Sequence, residues 1–234
     1  MSSSARNSSK KVYSFLGPVG TFTELALAQV KAAKGAVHKP VSSVTEAIDD
    51  VLAGRATRAI VPVENSIEGG VSATLDALAN STDIRIFGEY LVPVTFNLVA
   101  RPGVKLADVQ TVATHPVAYA QCRGWLAEHL PKHSHLPATS TAAAAAGLLE
   151  TDVAQAAIAA PSITSHYKLA VLARNIGDNR NAQTRFIEIG LAAKAPARTG
   201  RDKTSVIVEL PSDRPGALLE MLEQFAARGV NLSR

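Results

Sequence analysis

Val12–Leu16 (VYSFL), Gly17–Gly20 (GPVG) and Thr21–Glu24 (TFTE) read as a strand, a glycine loop and the start of a helix. Branched and aromatic side chains in the first run favour a pleated, half-buried strand. Thr21, followed three residues later by Glu24, forms a capping box, and Gly35 is the stop signal. The grammar repeats at Ser43 and Glu46, with a helix to Ala53 ended by Gly54. Arg58–Val63 (RAIVPV) is a buried strand, Glu64–Gly70 a polar turn, Val71–Asn80 a helix and Ile84–Tyr90 a strand. Beyond lie strands at Thr95–Ala100 and Thr111–Ala113 and a helix over Pro116–Leu130 with proline in its first turn. A helix over Thr139–Leu149 carries five consecutive alanines, Ala142–Ala146. Ala156–Ala160 is a strand, Pro161 opens a short helix, and Ala170–Ala173 and Arg185–Ile189 are strands. Strands alternating with helices predict an α/β fold with a mostly parallel sheet.

The chain has 234 residues, 47% of them hydrophobic and 19% charged, enough apolar material for a sizeable core. One cysteine, Cys122, cannot form an internal disulfide, which argues against a stapled secreted scaffold. It falls on a helix with no paired histidine and reads as core. The net charge is +4, yet Arg6, Lys10 and Lys11 of the Ser-rich, acid-free segment 1–11 supply most of it. That segment reads as a disordered basic tail, the rest is near neutrality, and no basic block with interleaved aromatics follows, so nucleic acid is not expected as a partner. No run approaches the roughly 18 apolar residues of a membrane helix, and the N-terminus lacks the apolar core of a signal peptide. The expected address is the cytoplasm, with no membrane partner. No sequence repeat of 20–50 residues is present.

Ala192–Lys203 (AAKAPARTGRDK) reads as a linker. After it Thr204–Leu210 (TSVIVEL) predicts a strand, Pro215 and Gly216 start a helix to about Arg228, and Val230–Leu232 begins another strand. One β-α unit and part of a second strand do not make a stable domain alone.

Four places can carry chemistry. The Gly17–Thr23 loop presents backbone N–H groups and the Thr21 and Thr23 hydroxyls at a helix start, which suits an anion; read plainly, it is a tight turn with Thr21 as cap. It is neither a P-loop, since lysine is missing, nor a dinucleotide fingerprint. Glu64, Asn65 and Ser66 follow a buried strand, where ligands of α/β sheets sit; they also suit a capped turn. His115, before Pro116, is either a site residue or a helix cap. Thr184 and Arg185 are adjacent, so in extended chain they point to opposite faces. His133 and His135 flank Ser134 in what reads as a surface loop, not a zinc site, and no metal is expected.

Taken together these segments resemble prephenate dehydratase. The residues that carry the resemblance are Gly17-Pro18-Val19-Gly20-Thr21-Phe22-Thr23-Glu24, Pro62-Val63-Glu64-Asn65-Ser66-Ile67-Glu68-Gly69, His115-Pro116 with Gln121-Cys122, Ser140-Thr141-Ala142-Ala143 and Thr184-Arg185-Phe186, collinear along the chain. Gly216-Ala217-Leu218-Leu219 and Gly229-Val230-Asn231-Leu232 are similar to the beginning of an ACT regulatory domain; its E-S-R-P motif is absent up to Arg234. The resemblance implies a catalytic region over 12–191 of two lobes, similar to type II periplasmic binding proteins, then the linker 192–203 and a partial, ferredoxin-like α+β domain over 204–234. Lobe one would hold about 12–91 and 171–191, and lobe two about 92–170, with crossings near Leu91–Pro93 and Leu169–Val171.

The implied reaction turns prephenate into phenylpyruvate, CO2 and water, without cofactor. Thr184, Glu64 and His115 are the implied catalytic candidates. Thr21, Thr23, Asn65, Ser66 and Arg185 are candidates for substrate binding. Arg214, Pro215, Gly216, Ala217 and Leu218 would serve regulation by phenylalanine, in a homodimer or homotetramer. The competing reading of the same fold is a two-lobed binding or effector-sensing module for a small carboxylate, without chemistry; a catalytically dead regulatory homologue is a third.

Overall fold

The apolar strand runs sort into two sheets in the computed structural model, which describes residues 10–192 and 197–232. The expected tail over 1–11 lies almost wholly outside the described residues, as do 193–196 of the expected linker. The chain divides into two compact units, residues 1–195 and 196–234.

The first sheet is ordered β2-β1-β3-β11-β5. It comprises β1 (Val12–Leu16), β2 (Val37–Val41), β3 (Arg58–Asn65), β5 (Ile84–Pro93) and β11 (Gln183–Leu191), with the two-residue β4 (Gly69–Gly70) hanging on β3. Alternation sends its side chains into two cores. Tyr13, Phe15, Ile60, Val92 and Phe186 meet Ala26 and Leu27 of α1 (Phe22–Ala28). Ala59, Val61, Val63, Ile187 and Ile189 meet Val44, Ala47, Ile48 and Val51 of α2 (Val44–Leu52), with α3 (Ser72–Ala79) beside them. A sheet covered on both faces has near-continuous apolar strands, which is why RAIVPV and RFIEI read as buried.

The second sheet is ordered β10-β6-β9-β7-β8: β6 (Asn97–Ala100), β7 (Thr111–Thr114), β8 (Ser134–Pro137), β9 (Ala156–Ala159) and β10 (Ala170–Ala173). Leu98, Val112 and Ile158 face Ala118, Cys122 and Leu126 from α4 (Pro116–Ala120) and α5 (Arg123–His129). Val99, Ala157 and Ala159 face α6 (Thr141–Gly147). Ala142, Ala144 and Ala145 of the alanine run are the residues that face inward, letting the helix lie close to the strands.

Several expectations are corrected. Neither sheet is mostly parallel: β1 pairs in parallel with β2 and β3, but β11 runs antiparallel to both β3 and β5, and β6 runs antiparallel to β9 and β10. The cause is the double crossing, because β11 re-enters the first sheet between β3 and β5. The outward crossing falls just after Pro93, near the expected place. The return does not fall at Leu169–Val171: Ala170, Val171 and Ala173 pair with β6, so the chain crosses back between Ala173 and Gln183 and residues 171–173 belong to lobe two. The helix over Pro116–Leu130 is broken at Cys122, where Asp178 of the return crossing accepts from Gly124 N (3.0 Å) and Trp125 N (3.2 Å) and so caps α5. Cys122 is buried, and burial pushes its thiol up to about 12, which makes it a core residue and no nucleophile.

Among the described residues lobe one holds two buried carboxylates, Asp50 and Glu188 of β11, and Asp50 is the deeper. Asp50 of α2 accepts from Ser14 Oγ (2.7 Å), Lys39 Nζ (2.7 Å) and Arg55 Nε (2.8 Å). Burial alone would raise its pKa, but these three donors outweigh that and hold it at about 2, against an ordinary 3.8. The folded chain therefore keeps Asp50 ionised where the unfolded chain has taken up its proton. Its contribution to stability is complete above about pH 5 and is lost as the pH falls through 3.8 towards 2. Urea unfolding should show that decline in the parent chain. In Asp50→Asn it should be shallower, with Glu46, also held below its ordinary value by Ser42, still contributing, and stability at pH 7 should be lower by about 1–3 kcal/mol.

The second unit contains α7 (Ala217–Ala226), entered through Gly216 at φ 88. Arg214 grips Glu220 with both terminal nitrogens, at 2.9 and 2.6 Å. The strand expected at Thr204–Leu210 is not formed. Val206, Ile207, Val208 and Leu210 are exposed, and no ladder partner exists for them among the described residues. Residues 230–232 likewise join no ladder. A strand is defined by its pairing, and β propensity without a partner leaves extended, solvated chain. No helix among the described residues is long and apolar enough to cross a membrane.

Candidate active site

The C-terminal end of β3 and the beginning of β11 lie side by side, and a bulge decides what faces what. Phe186 pairs with Pro62, but Arg185 pairs with Glu64, so Val63 has no partner across the ladder. The extra residue reverses the parity of β3 beyond it and turns Asn65 to the face used by Thr184. Asn65 Nδ2 donates to Thr184 Oγ1 at 3.0 Å. Asn65 Oδ1 in turn accepts from Ile67 N (2.8 Å) and Glu68 N (3.3 Å). Two backbone donors therefore fix the orientation of the amide, and its NH2 can only be the donor to the threonine. Thr184, 7% exposed, receives that bond on a lone pair and has its own proton directed elsewhere. Ser66 closes the corner: its N–H donates to Gln183 O (2.9 Å) and its Oγ accepts from Gln183 N (3.0 Å).

Arg185 leaves β11 on the opposite face. Its Nε lies 3.6 Å from Glu64 Oε2 and Nη1 lies 3.9 Å from Glu89 Oε2. Its charge is balanced by these two carboxylates, although Nε itself is buried without a hydrogen bond. Glu64 is thereby placed with Arg185 and not beside the Thr184 hydroxyl.

Both helix starts picked out in the sequence are capped by their own residues. Thr21 donates to Leu16 O (3.0 Å) and accepts from Glu24 N (3.4 Å), which commits its hydroxyl. Thr23 is buried in the first turn of α1. His115 Nδ1 accepts from Val117 N (3.3 Å), so its proton sits on Nε2. A groove of about 290 Å³ separates Ile67 and Glu68 of lobe one from Pro116, Val117, Ala120 and Gln121 of lobe two. It adjoins the Asn65 turn on one side and the His115 cap on the other. A smaller cavity of about 150 Å³, between α6 and the β7–β8 edge, is lined by alanines, Leu136 and Leu148 and lies away from these groups.

Of the sequence candidates, the structure brings Asn65, Ser66 and Thr184 into direct contact around one corner. It places His115 at the facing helix start and assigns Thr21 to capping. Glu68, Gln121 and Gln183 are not among the sequence candidates. Glu68 and Gln121 stand within the motif segments, but only the fold turns them to the groove; Gln183 acts through its backbone, which no residue type announces. His135, expected in a surface loop, lies on the edge strand β8 and stacks on Tyr119 with ring centroids 4.0 Å apart. Among the described residues no group of three or more His, Cys, Asp or Glu is placed to hold a metal.

Residues 13–194 match the family model described as prephenate dehydratase. The prephenate dehydratase of Mycobacterium marinum (strain ATCC BAA-535 / M) is 44% identical over 228 residues, which cover 94% of this chain and 72% of that protein. The solved prephenate dehydratase of Arthrobacter aurescens, in complex with L-Phe, is 56% identical with a TM-score of 0.89 and covers 95% of this chain and 74% of that one. The prephenate dehydratase of Staphylococcus aureus subsp. aureus Mu50 is 28% identical with a TM-score of 0.76, over 96% and 81% of the two chains.

Proposed function

The chain belongs to the prephenate dehydratase family and is a lyase, and from that premise we propose that its reaction runs at the Asn65–Thr184 corner. The reaction takes prephenate to phenylpyruvate, CO2 and water on the route to phenylalanine. The bond between the ring and its carboxylate breaks, the electron pair enters the ring, and the ring hydroxyl leaves with a proton as water. Aromatisation drives the step, so the protein has to orient the substrate and meet the departing oxygen with a donor. The observation that carries this reading is the hydrogen bond from Asn65 Nδ2 to Thr184 Oγ1. It occupies an acceptor site of the hydroxyl and leaves the Thr184 O–H to donate to the leaving group. A threonine is a poor acid, so the bond is worth most as it strengthens while the C–O bond breaks, with the proton passed on from solvent or a neighbour.

The other roles follow from what is already spent. Ser66 Oγ accepts from Gln183 and still has a proton to give; His115 carries an N–H on Nε2 across the groove. These two, with Thr23, are the donors offered to the substrate carboxylates. Thr21 acts as a cap. Arg185, held between Glu64 and Glu89, acts by positioning the start of β11, and Glu64 acts with it. No metal or organic cofactor enters this scheme. Membership of the family favours chemistry over the bare carboxylate-binding module.

The relative with L-Phe bound supports phenylalanine as an effector of this chain as well. The residues proposed for it are Arg214, Pro215, Gly216, Ala217 and Leu218, where a positive φ at Gly216 lets a ligand approach the backbone at the start of α7. A dimer or tetramer, a cytoplasmic location and the division into 12–191, a linker and an ACT-like segment from 204 complete the proposal, with the lobe boundary as corrected above. Incubation with prephenate, followed by phenylpyruvate absorbance in alkali, tests the activity. Steady product formation is expected. Binding of prephenate without product would favour the sensor reading.

A further inference from the structure

Glu24 makes a polar contact that joins the two lobes. Its Oε2 accepts from the backbone N–H of Gly20, in the loop before α1, at 2.6 Å. The same oxygen lies 2.9 Å from Nε2 of His166, just after the 3-10 turn Pro161–Ser165 of lobe two. Three further contacts run along this seam. Ser162 Oγ donates to Gly20 O at 3.4 Å. A Cβ on Gly20 would come within 2.6 Å of Ile163 Cδ1, so the two turns touch through a gap that only glycine leaves open. Phe22 meets Phe96, at the outward crossing, edge to face, with centroids 5.6 Å apart. Ile163 is fully buried in the lobe-two core.

We propose that Glu24 and His166 form a latch between the lobes, with Glu24 a positioning residue for the reaction. Glu24 fixes the Gly17–Thr21 loop from below and, through His166, ties that loop to lobe two. A two-lobed site binds its substrate in the fraction of molecules whose lobes hold the correct separation, and apparent affinity falls in proportion to that fraction. Loss of the latch should therefore weaken substrate capture and leave the chemical step, which belongs to Thr184, nearly intact. A charge-assisted bond of this kind is worth about a tenfold change in such an equilibrium.

Glu24→Gln keeps an oxygen for Gly20 N and removes the charge; His166→Gln removes the imidazole from the lobe-two side without touching the loop. In the full chain each should raise KM for prephenate about five- to tenfold with kcat within twofold. The double variant should be no worse than the poorer single one, because both changes break one contact. A merely structural role would lower thermal stability and leave the KM-against-kcat split unmoved. This kinetic arm rests on the proposed function, so a second readout is independent of it: amide hydrogen exchange. His166→Gln should speed exchange at Gly20, in the other lobe, about fivefold or more. If Gly20 exchange is unchanged, or if KM is unchanged in both single variants of an active enzyme, the latch is wrong. If the parent chain makes no phenylpyruvate while Gly20 exchange responds to His166→Gln, the functional reading fails and the latch stands.

Discussion

Replacing Thr184 by valine is expected to lower kcat about 100- to 1000-fold, the usual consequence of losing one oriented donor in a transition state. Valine keeps the branched shape that fits the buried start of β11, where Thr184 pairs with Asn65 and Val92 across the ladders. The loss would therefore report the hydroxyl and not the packing. Some destabilisation accompanies it, since Asn65 Nδ2 loses its acceptor, at about 1–3 kcal/mol. Thr184→Ser restores a hydroxyl at the same position and should recover most of the activity. Turnover of Thr184→Val within threefold of the parent would remove the hydroxyl from the chemistry.

The second large effect is expected at Asn65→Asp. A carboxylate can still accept from the backbone N–H groups of Ile67 and Glu68, so the turn that carries the residue should persist. Its second oxygen, however, is an acceptor where the amide had a donor. The Thr184 hydroxyl then gives its proton to the carboxylate and faces the substrate with a lone pair. A fall in kcat of about 100-fold is expected, in the range found for a lost transition-state donor. Asn65→Ser, which keeps a local acceptor for the turn and loses the reach to Thr184, should be the milder variant. Equal kcat for the parent and Asn65→Asp would mean that the polarity of this hydrogen bond is irrelevant.

What the sequence reveals here depends on how far apart the partners lie. The strand–loop–helix opening at Val12–Glu24 is written in local turn chemistry and appears as expected, though α1 stops at Ala28. Central strands β3, β9 and β11 are legible because burial on both faces makes them continuously apolar. The edge strands β2 (VHKPV) and β8 (SHLP) are not: half-exposed edges carry His, Lys and Pro, which imitate loops and discourage pairing with other chains. The break at Cys122 depends on Asp178, which arrives from the return crossing, so no window around Cys122 contains its cause. The antiparallel seat of β11 between β3 and β5 is set by the same crossing.

At the site, residue types expose Asn65, Ser66 and Thr184 as candidates, and adjacency alone tells that Thr184 and Arg185 part to opposite faces. The bulge at Val63 could not be read, since Val63 looks like any buried valine. That bulge is what turns Asn65 to Thr184 and leaves Glu64 with Arg185. Helix caps mislead in a different way. Thr21 and His115 have the composition of ligand-binding residues, and a cap requires that composition too.

The central claim is that Asn65 acts on the reaction through the Thr184 hydroxyl and by no other route. The most direct test is kcat of the double variant Thr184→Val with Asn65→Asp, set against the two single variants. With the hydroxyl already absent, the change at Asn65 has nothing left to misdirect, so the double variant should match Thr184→Val within about threefold. A multiplicative loss, roughly 10,000-fold or more if the two effects above simply combine, would contradict the account and show that Asn65 and Thr184 serve the substrate independently.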